Sequence, residues 1–348
     1  METRVCRLYG PNDIRIETAE VAEPGPGEAL LAAAAGGICG SDLHYYRDGG
    51  FGPIRVKEPI ILGHEASGTV LAVGPDVTHL VVGERIAINP SRPCLNCDYC
   101  REALFNHCLN MRFNGSAMRM PHEQGLFRDR IVVEARQCVS VGPELDLGEA
   151  ACAEPLAVCL HAGTMAGDLK DRRVLVTGAG PIGALCAGVA ADAGAAEVVV
   201  TDLQDLPLKT AEAMGATRTI NVGRNGIELE RYAADKGYFD TVFECSAAGP
   251  AVRAAIAAVR PRGTLVQVGV TGDLPVPINL LVGKEIRLQG THRFHDAFSE
   301  AVEAIVTRRI DVRPIMSARY PLEEAVEAFN TAGDRSRAVK VHLAFAGP

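Results

Sequence analysis

The sequence predicts an α/β protein of two domains, one β-rich and one built on a doubly wound parallel sheet, and three observations carry this. At 348 residues the chain exceeds one ordinary domain and suits two, each able to bury its own core. From about residue 20 to 90, short apolar stretches (EALLAAAAG, ASGTVLAVG, RIAINP) are broken by Gly and Pro, the pattern of twisted strands and tight turns. From 172 to 290, the strand candidates RRVLVTGAG, EVVVTDL, TRTINV, FDTVFECS, GTLVQVGV and EIRLQG alternate with Ala-rich helix candidates. Parallel neighbours need such crossovers, and the helices then cover both faces of the sheet. After residue 290, AFSEAVEAIVTRR and LEEAVEAFNTA read as helices before a β-like stretch, KVHLAF.

Composition excludes several functions. Hydrophobic residues make up 47% and charged residues 22%, and no segment reaches the unbroken apolar length that a bilayer requires. The opening METRVCRLYGPNDIRIE puts charges where a signal peptide needs an apolar core, so a cytoplasmic location is expected. A net charge of −8 argues against a nucleic-acid partner, which requires clustered Lys and Arg. The 11 cysteines are an odd number without a secretion signal, which favours metal ligation or free thiols over a disulfide framework.

Four of them, Cys94, Cys97, Cys100 and Cys108, lie in PCLNCDYCREALFNHC. Four thiolates complete the tetrahedral shell of a structural zinc, leave no position for water, and rigidify a loop that has little core of its own. His107 lies inside the loop, but with four cysteines available it reads as a surface residue.

A second constellation begins with Cys39 at a glycine-flanked turn in GGICGSDLHYY, followed 25 positions later by His64 and Glu65 in ILGHEASGTVLAVGPDV. A catalytic zinc takes about three protein ligands and keeps one position open for a substrate oxygen. Glu154, in ACAEPLAVCLHAG, is the preferred third ligand, because a carboxylate in an apolar segment is costly unless it meets a cation. Cys152 and Cys159 compete for that role, and Glu65 either touches the metal or orients its ligands from behind. Taken singly, Cys39, His64 and Glu154 each have an ordinary structural reading; together they specify a site. Ser41 and His44 follow Cys39 closely enough to carry a proton outwards from a metal-held hydroxyl.

The cofactor signal is VLVTGAGPIGALCAG, where Gly178, Gly180, Pro181, Ile182 and Gly183 form a GxGxxG fingerprint between a strand and a helix candidate. Its glycines permit a tight turn, close approach of a pyrophosphate and close helix packing. Asp202 ends the next strand candidate, where a carboxylate accepts hydrogen bonds from an adenosine ribose and repels a 2′-phosphate, so NAD is expected over NADP. Arg218 and Lys209 are near enough in sequence to moderate that preference.

GHEASGTVLAVGPDV, the four-cysteine loop and the glycine fingerprint, in this order, resemble the zinc-containing alcohol dehydrogenases of the medium-chain superfamily over essentially the whole chain. The resemblance implies a GroES-like catalytic domain at 1–150 and 291–348, carrying the structural zinc loop 94–108, interrupted by a Rossmann NAD-binding domain at 151–290, with two zincs per chain. CGSDLHYY and AEPL resemble the polyol and sugar-acid branch, in which Glu154 stands in place of a cysteine and holds zinc directly or through water. INPSRPC, NMRFNGSAM and GTHRF are closer to the branch's L-idonate-oxidising members than to its sorbitol-oxidising ones, whereas sorbitol, xylitol and threonine dehydrogenases are the rival enzyme readings. A nucleotide-binding protein without turnover is the rival from another class, and it gives no reason to keep Cys39, His64, Glu154 and Ser41 together. By resemblance Tyr45, Arg293 and Phe294 line the substrate pocket. An acidic substrate also suits Arg112, Arg119 and Arg293, since guanidinium groups bind carboxylates bidentately. The resemblance further implies a homo-oligomer, dimer or tetramer, and a small-molecule sugar acid or polyol as the partner.

Overall fold

The computed structural model describes residues 1–270, 272–294 and 296–347. The spine of the first domain is strand Glu28–Gly37, whose run of Leu, Ala and Gly is buried over almost its full length. Small side chains allow it to be covered on both faces. It pairs antiparallel with Glu65–Val73 on one side and with Arg130–Glu134 and Lys340–Ala344 on the other. The seven-stranded sheet then runs, in order, Cys138–Ser140, Arg85–Ile88, Glu65–Val73, Glu28–Gly37, Lys340–Ala344, Met316–Pro321, with Arg130–Glu134 off this path. The antiparallel register sets Gly37 opposite Glu65. It therefore brings the turn after one strand and the turn before its neighbour, 39 and 64, to the same end of the sheet.

The second sheet has six parallel strands in the order Arg218–Asn221, Glu197–Asp202, Arg173–Thr177, Phe239–Glu244, Val259–Gln267, Arg287–Gly290. Val174, Leu175, Val176, Val199, Val200, Val242, Phe243, Leu265 and Val266 are all fully buried, as continuous apolar strands covered by helices on both sides must be. The order of connection reverses between Arg173–Thr177 and Phe239–Glu244, and a crevice opens beyond their carboxyl ends. The covering helix Gly249–Ala258 ends on Lys284, whose buried ammonium donates to the carbonyls of Ile256, Ala257 and Val259 at 3.0, 2.7 and 2.8 Å. A positive charge there satisfies terminal carbonyls and opposes the helix dipole.

Helix Ala153–Ala166 links the two sheets. It packs on the fingerprint helix Pro181–Asp192 and on Ala297–Val306, and its residues share one core with Ala87 and Val141 of the first domain and Val174 and Val176 of the second. The cleft between the domains lies at its amino end. No helix among the described residues is long and apolar enough to cross a membrane.

Candidate active site

Cys39 caps helix Gly40–Asp48 in an extended conformation, and three residues on, the carboxylate of Asp42 turns back to accept from the Cys39 amide at 3.0 Å. The other Asp42 oxygen accepts from the Gly63 amide at 3.3 Å and lies 3.8 Å from Nδ1 of His64. One fully buried carboxylate thus fixes both turns that carry the ligand candidates. Glu65, also buried, accepts from Lys340 Nζ with both oxygens at 2.7 and 2.6 Å, and Lys340 donates further to the Ile38 carbonyl at 3.3 Å. Gly37 makes room for this, since a Cβ there would fall 2.1 Å from Glu65 Oε2.

The ligand atoms of Cys39, His64 and Glu65 all lie within 4.8 Å of one another. Burial opposes a charged His64, yet Asp42, Cys39 and Glu154 outweigh it and hold its pKa well above the ordinary value. Such a field favours positive charge at this point, and thiol, imidazole and carboxylate are donors that zinc accepts, so the residues fit the metal. Glu154 is buried at the start of its helix and lines the same cleft, outside the tight group of three. Burial pushes its carboxyl up to about 7 against the pull of His64. The competing thiols point elsewhere: Cys152 lies 3.7 Å from His342 Nε2, and Cys159 donates to the Ile182 carbonyl at 3.4 Å.

Ser41, His44, Tyr45 and Arg293 line the cleft with these groups. His44 is half exposed at its mouth, with Nδ1 3.0 Å from Asp48 and its ring against Phe51. The Tyr45 hydroxyl accepts from the Ala117 amide at 3.3 Å. Arg293 lies over the Phe113 ring at 4.1 Å and donates to Met118 Sδ at 2.9 Å, with no carboxylate in ion-pair distance among the described residues. Burial lowers its pKa, and Glu154 and Tyr45 counter this.

Three residues expected at the pocket are elsewhere. Phe294 is 2% exposed and packs on Phe298 in the shared core, where its wholly apolar ring is out of water, while only its neighbour Arg293 lines the cleft. Arg112 is exposed and bound to Glu123 at 2.8 Å, so its charge is already answered outside the cleft. Arg119 likewise folds back onto the Asn110 carbonyl at 2.9 Å.

At the fingerprint, Gly178 has φ 85°, and a Cβ on Gly183 would fall 1.7 Å from the Gly178 carbonyl, so both must be glycine. Gly180 caps the helix and Pro181 opens it. Gly180, Pro181, Ile182 and Gly183 face the cleft. Asp202 stands at the end of its strand with Oδ2 on the Ala179 amide at 2.7 Å and Oδ1 on the Gln204 amide at 2.9 Å, so it also holds the turn. Arg335, not anticipated from sequence, places its guanidinium carbon 3.9 Å from a Cβ on Gly180, a positive charge beside the cradle where phosphates would lie. This cradle of glycines, amides and a ribose-facing carboxylate fits a dinucleotide.

The sulfurs of Cys94, Cys97, Cys100 and Cys108 also lie within 4.8 Å of one another, with Cys97 and Cys108 at 4.0 Å. Zn–S bonds of about 2.3 Å in a tetrahedron space the sulfurs by about 3.8 Å, so this set fits a closed zinc site. Amides of Cys94 and Asn110 donate to Cys108 Sγ at 3.2 and 3.3 Å. His107 is exposed and outside the group.

Residues 25–144 match the alcohol dehydrogenase GroES-like domain and residues 181–307 match the zinc-binding dehydrogenase domain. The chain is 40% identical over 346 residues to the L-idonate 5-dehydrogenase (NAD(P)(+)) of Escherichia coli K12, covering 99% of each. It is 37% identical over 341 residues to the sorbitol dehydrogenase of Gallus gallus, covering 97% of this chain and 94% of the other. The crystal structure of the Escherichia coli L-idonate 5-dehydrogenase superposes with a TM-score of 0.94 over 99% of both chains.

Cys39→Ser is expected to abolish turnover and to remove one of two zincs while the fluorescence of added NADH still rises on binding; near-normal activity would refute the assignment of Cys39 as a ligand. Replacing Asp202 with Gly together with the exposed Leu203 with Arg is expected to move the ratio of kcat/KM values towards NADP. An unchanged ratio would mean that another residue reads the ribose.

Proposed function

Because this chain belongs to the zinc-dependent alcohol dehydrogenases of the medium-chain superfamily, we propose that it oxidises the C5 hydroxyl of L-idonate with NAD, giving 5-keto-D-gluconate. The observation that carries the substrate class is Arg293, a cation facing the cleft without a carboxylate partner among the described residues. An aldonate supplies that carboxylate, and its hydroxyls suit the acidic and phenolic groups around it. The likeness to an L-idonate 5-dehydrogenase over nearly the whole chain supports the same reading.

When bound, zinc supplies the positive charge that makes a substrate hydroxyl acidic, and NAD supplies the hydride acceptor. The protein does the rest. Cys39, His64, Glu65 and Glu154 hold the charge in place; Ser41 takes up the hydroxyl proton, and His44, tied to Asp48 at the mouth, passes it to solvent. Tyr45 and Arg293 orient the chain of the sugar acid so that the carbinol carbon faces the wall of Ile182, Val268 and Gly269, where these residues would hold the nicotinamide. Gly178, Gly180, Pro181, Ile182 and Gly183 would hold the cofactor, and Asp202 would accept from its adenosine ribose.

We also place the protein in the cytoplasm as a homo-oligomer. All 11 cysteines are free, which suits a reducing compartment. The edge strand Arg287–Gly290 has one open side, and Leu288 on it and Ile278 and Val282 of the helix Ile278–Lys284 just before it are exposed. A second copy joined at this edge covers both.

A neutral polyol is the second reading, supported by the likeness to sorbitol dehydrogenases. Initial rates with L-idonate, sorbitol, xylitol and L-threonine side by side are expected to be dominated by L-idonate. Arg293→Met should then raise the KM for L-idonate by roughly ten- to a hundredfold, as loss of a charge-assisted pair implies, with little change for sorbitol. Equal losses on both would remove the carboxylate role. Light scattering should report a dimer or tetramer, and Val282→Asp should lower that mass; a wild-type monomer would sink the edge-strand interface.

A further inference from the structure

Five of the 11 cysteines belong to the two metal sets, and of the other six, three converge on one spot behind the fingerprint. Cys186, inside helix Pro181–Asp192, has its sulfur 3.9 Å from that of Cys245, which follows strand Phe239–Glu244 at the reversal point of the parallel sheet. Cys159, from helix Ala153–Ala166, also lies against Cys186. The usual role of such residues is to fill space as small apolar side chains. Here the three differ in access. Cys159 and Cys186 are fully buried, whereas Cys245 is only partly covered and lines the cleft beside Ile182, Gly183, Val268 and Gly269. One thiol therefore meets whatever enters the cofactor cleft, and a second waits in contact behind it. By contrast Cys6 and Cys138 are buried away from the cleft lining, and Cys152 faces His342.

We infer that Cys245 and Cys186 form a peroxide-responsive pair that closes to a disulfide when the cleft holds no cofactor. The pair loses one proton to solvent, and the remaining proton passes from Cys245 to Cys186 along their contact. The Cys245 thiolate attacks one oxygen of hydrogen peroxide; the O–O bond breaks, Cys245 becomes a sulfenic acid, and the hydroxide released takes the proton of Cys186 to become water. The Cys186 thiolate then attacks the Cys245 sulfur. The S–S bond forms, the S–O bond breaks, and the departing hydroxide recovers the proton first lost to solvent. In sum, two thiols and one hydrogen peroxide give one disulfide and two waters.

The consequence for activity comes from packing. Ser246, next to Cys245, already has its Cα 2.9 Å from where Gly178 would carry a Cβ, and its hydroxyl and amide are held by Glu244. Drawing Cys245 onto the fingerprint helix moves Ser246 against the Gly178 turn and spoils the cradle.

The test treats zinc-loaded wild-type enzyme with hydrogen peroxide, with and without NAD, and tracks NAD reduction, zinc content and peptide mass. The expected result is loss of activity with two hydrogens lost in mass, a Cys186–Cys245 cross-linked peptide, retained zinc, recovery with dithiothreitol, and slower oxidation when NAD is present. Cys186→Ala should give no cross-link, and its inactivation should not reverse, because a sulfenic acid without a resolving thiol oxidises further. Should that variant fold poorly, the cross-link map of the wild type still decides. Inactivation that tracks zinc loss and disulfides within 94–108, with Cys245 still reduced, would overturn the proposal. So would a Cys245 oxidation rate indifferent to NAD.

Discussion

The Glu65–Lys340 ion pair is the constraint around which the cleft is organised. Both side chains are almost wholly buried, at 1% and 2% exposure. Removing two charges from water costs several kcal/mol each, and only close bidentate geometry offsets it. That geometry is present, because Gly37 leaves the space and the Ile38 carbonyl takes another ammonium hydrogen. Loss of either partner would leave a lone buried charge, a change of about 3–5 kcal/mol. The pair also pins the strand that carries Lys340 to the strand that carries Glu65, so closure of the first sheet and alignment of the ligand group are one event. Asp42 plays the matching part on the other side, holding the Cys39 and Gly63 amides with one carboxylate.

Legibility of the fold depended on how local its signals were. Each strand of the parallel sheet is buried on both faces, so a continuous apolar run such as EVVVTD identifies itself, and the glycine fingerprint marks which strand comes first. The β-rich domain announces its strands but not their neighbours. That Lys340–Ala344 lies between Glu28–Gly37 and Met316–Pro321 is a pairing across hundreds of residues, and no local pattern encodes it.

The site was legible where chemistry demands rare residues at fixed spacing. The four thiols lie together, as do Cys39 and His64, and Asp202 holds the glycine turn; the third member of the Cys39 group is Glu65, whereas Glu154, the preferred ligand on sequence, stands outside it because it sits on a separate helix across the cleft. The supporting residues were less visible. Asp42 had a signal, a carboxylate three positions after a helix cap; Lys340 had one too, a lone cation in the apolar KVHLAF; Arg335 and the Cys159, Cys186 and Cys245 group had none. Arg112 misled because its partner, Glu123, lies beyond a turn that sequence does not draw. Phe294 misled because its ring, with no polar atom, is buried against Phe298 while its neighbour Arg293 takes the cleft.

The 275 positions between Glu65 and Lys340 also set a timetable during synthesis. At a ribosomal rate of roughly 5–20 residues per second, Glu65 waits some tens of seconds for its counter-ion. The parallel sheet, whose strands all precede residue 291, has everything it needs to form in that interval. The spine strand does not: its edge at residues 35–37 stays open to any other strand in reach, including that of a neighbouring nascent chain. Its run of alanines and glycines, too small to make a sticky apolar edge, lowers that hazard while the last strand is still being made.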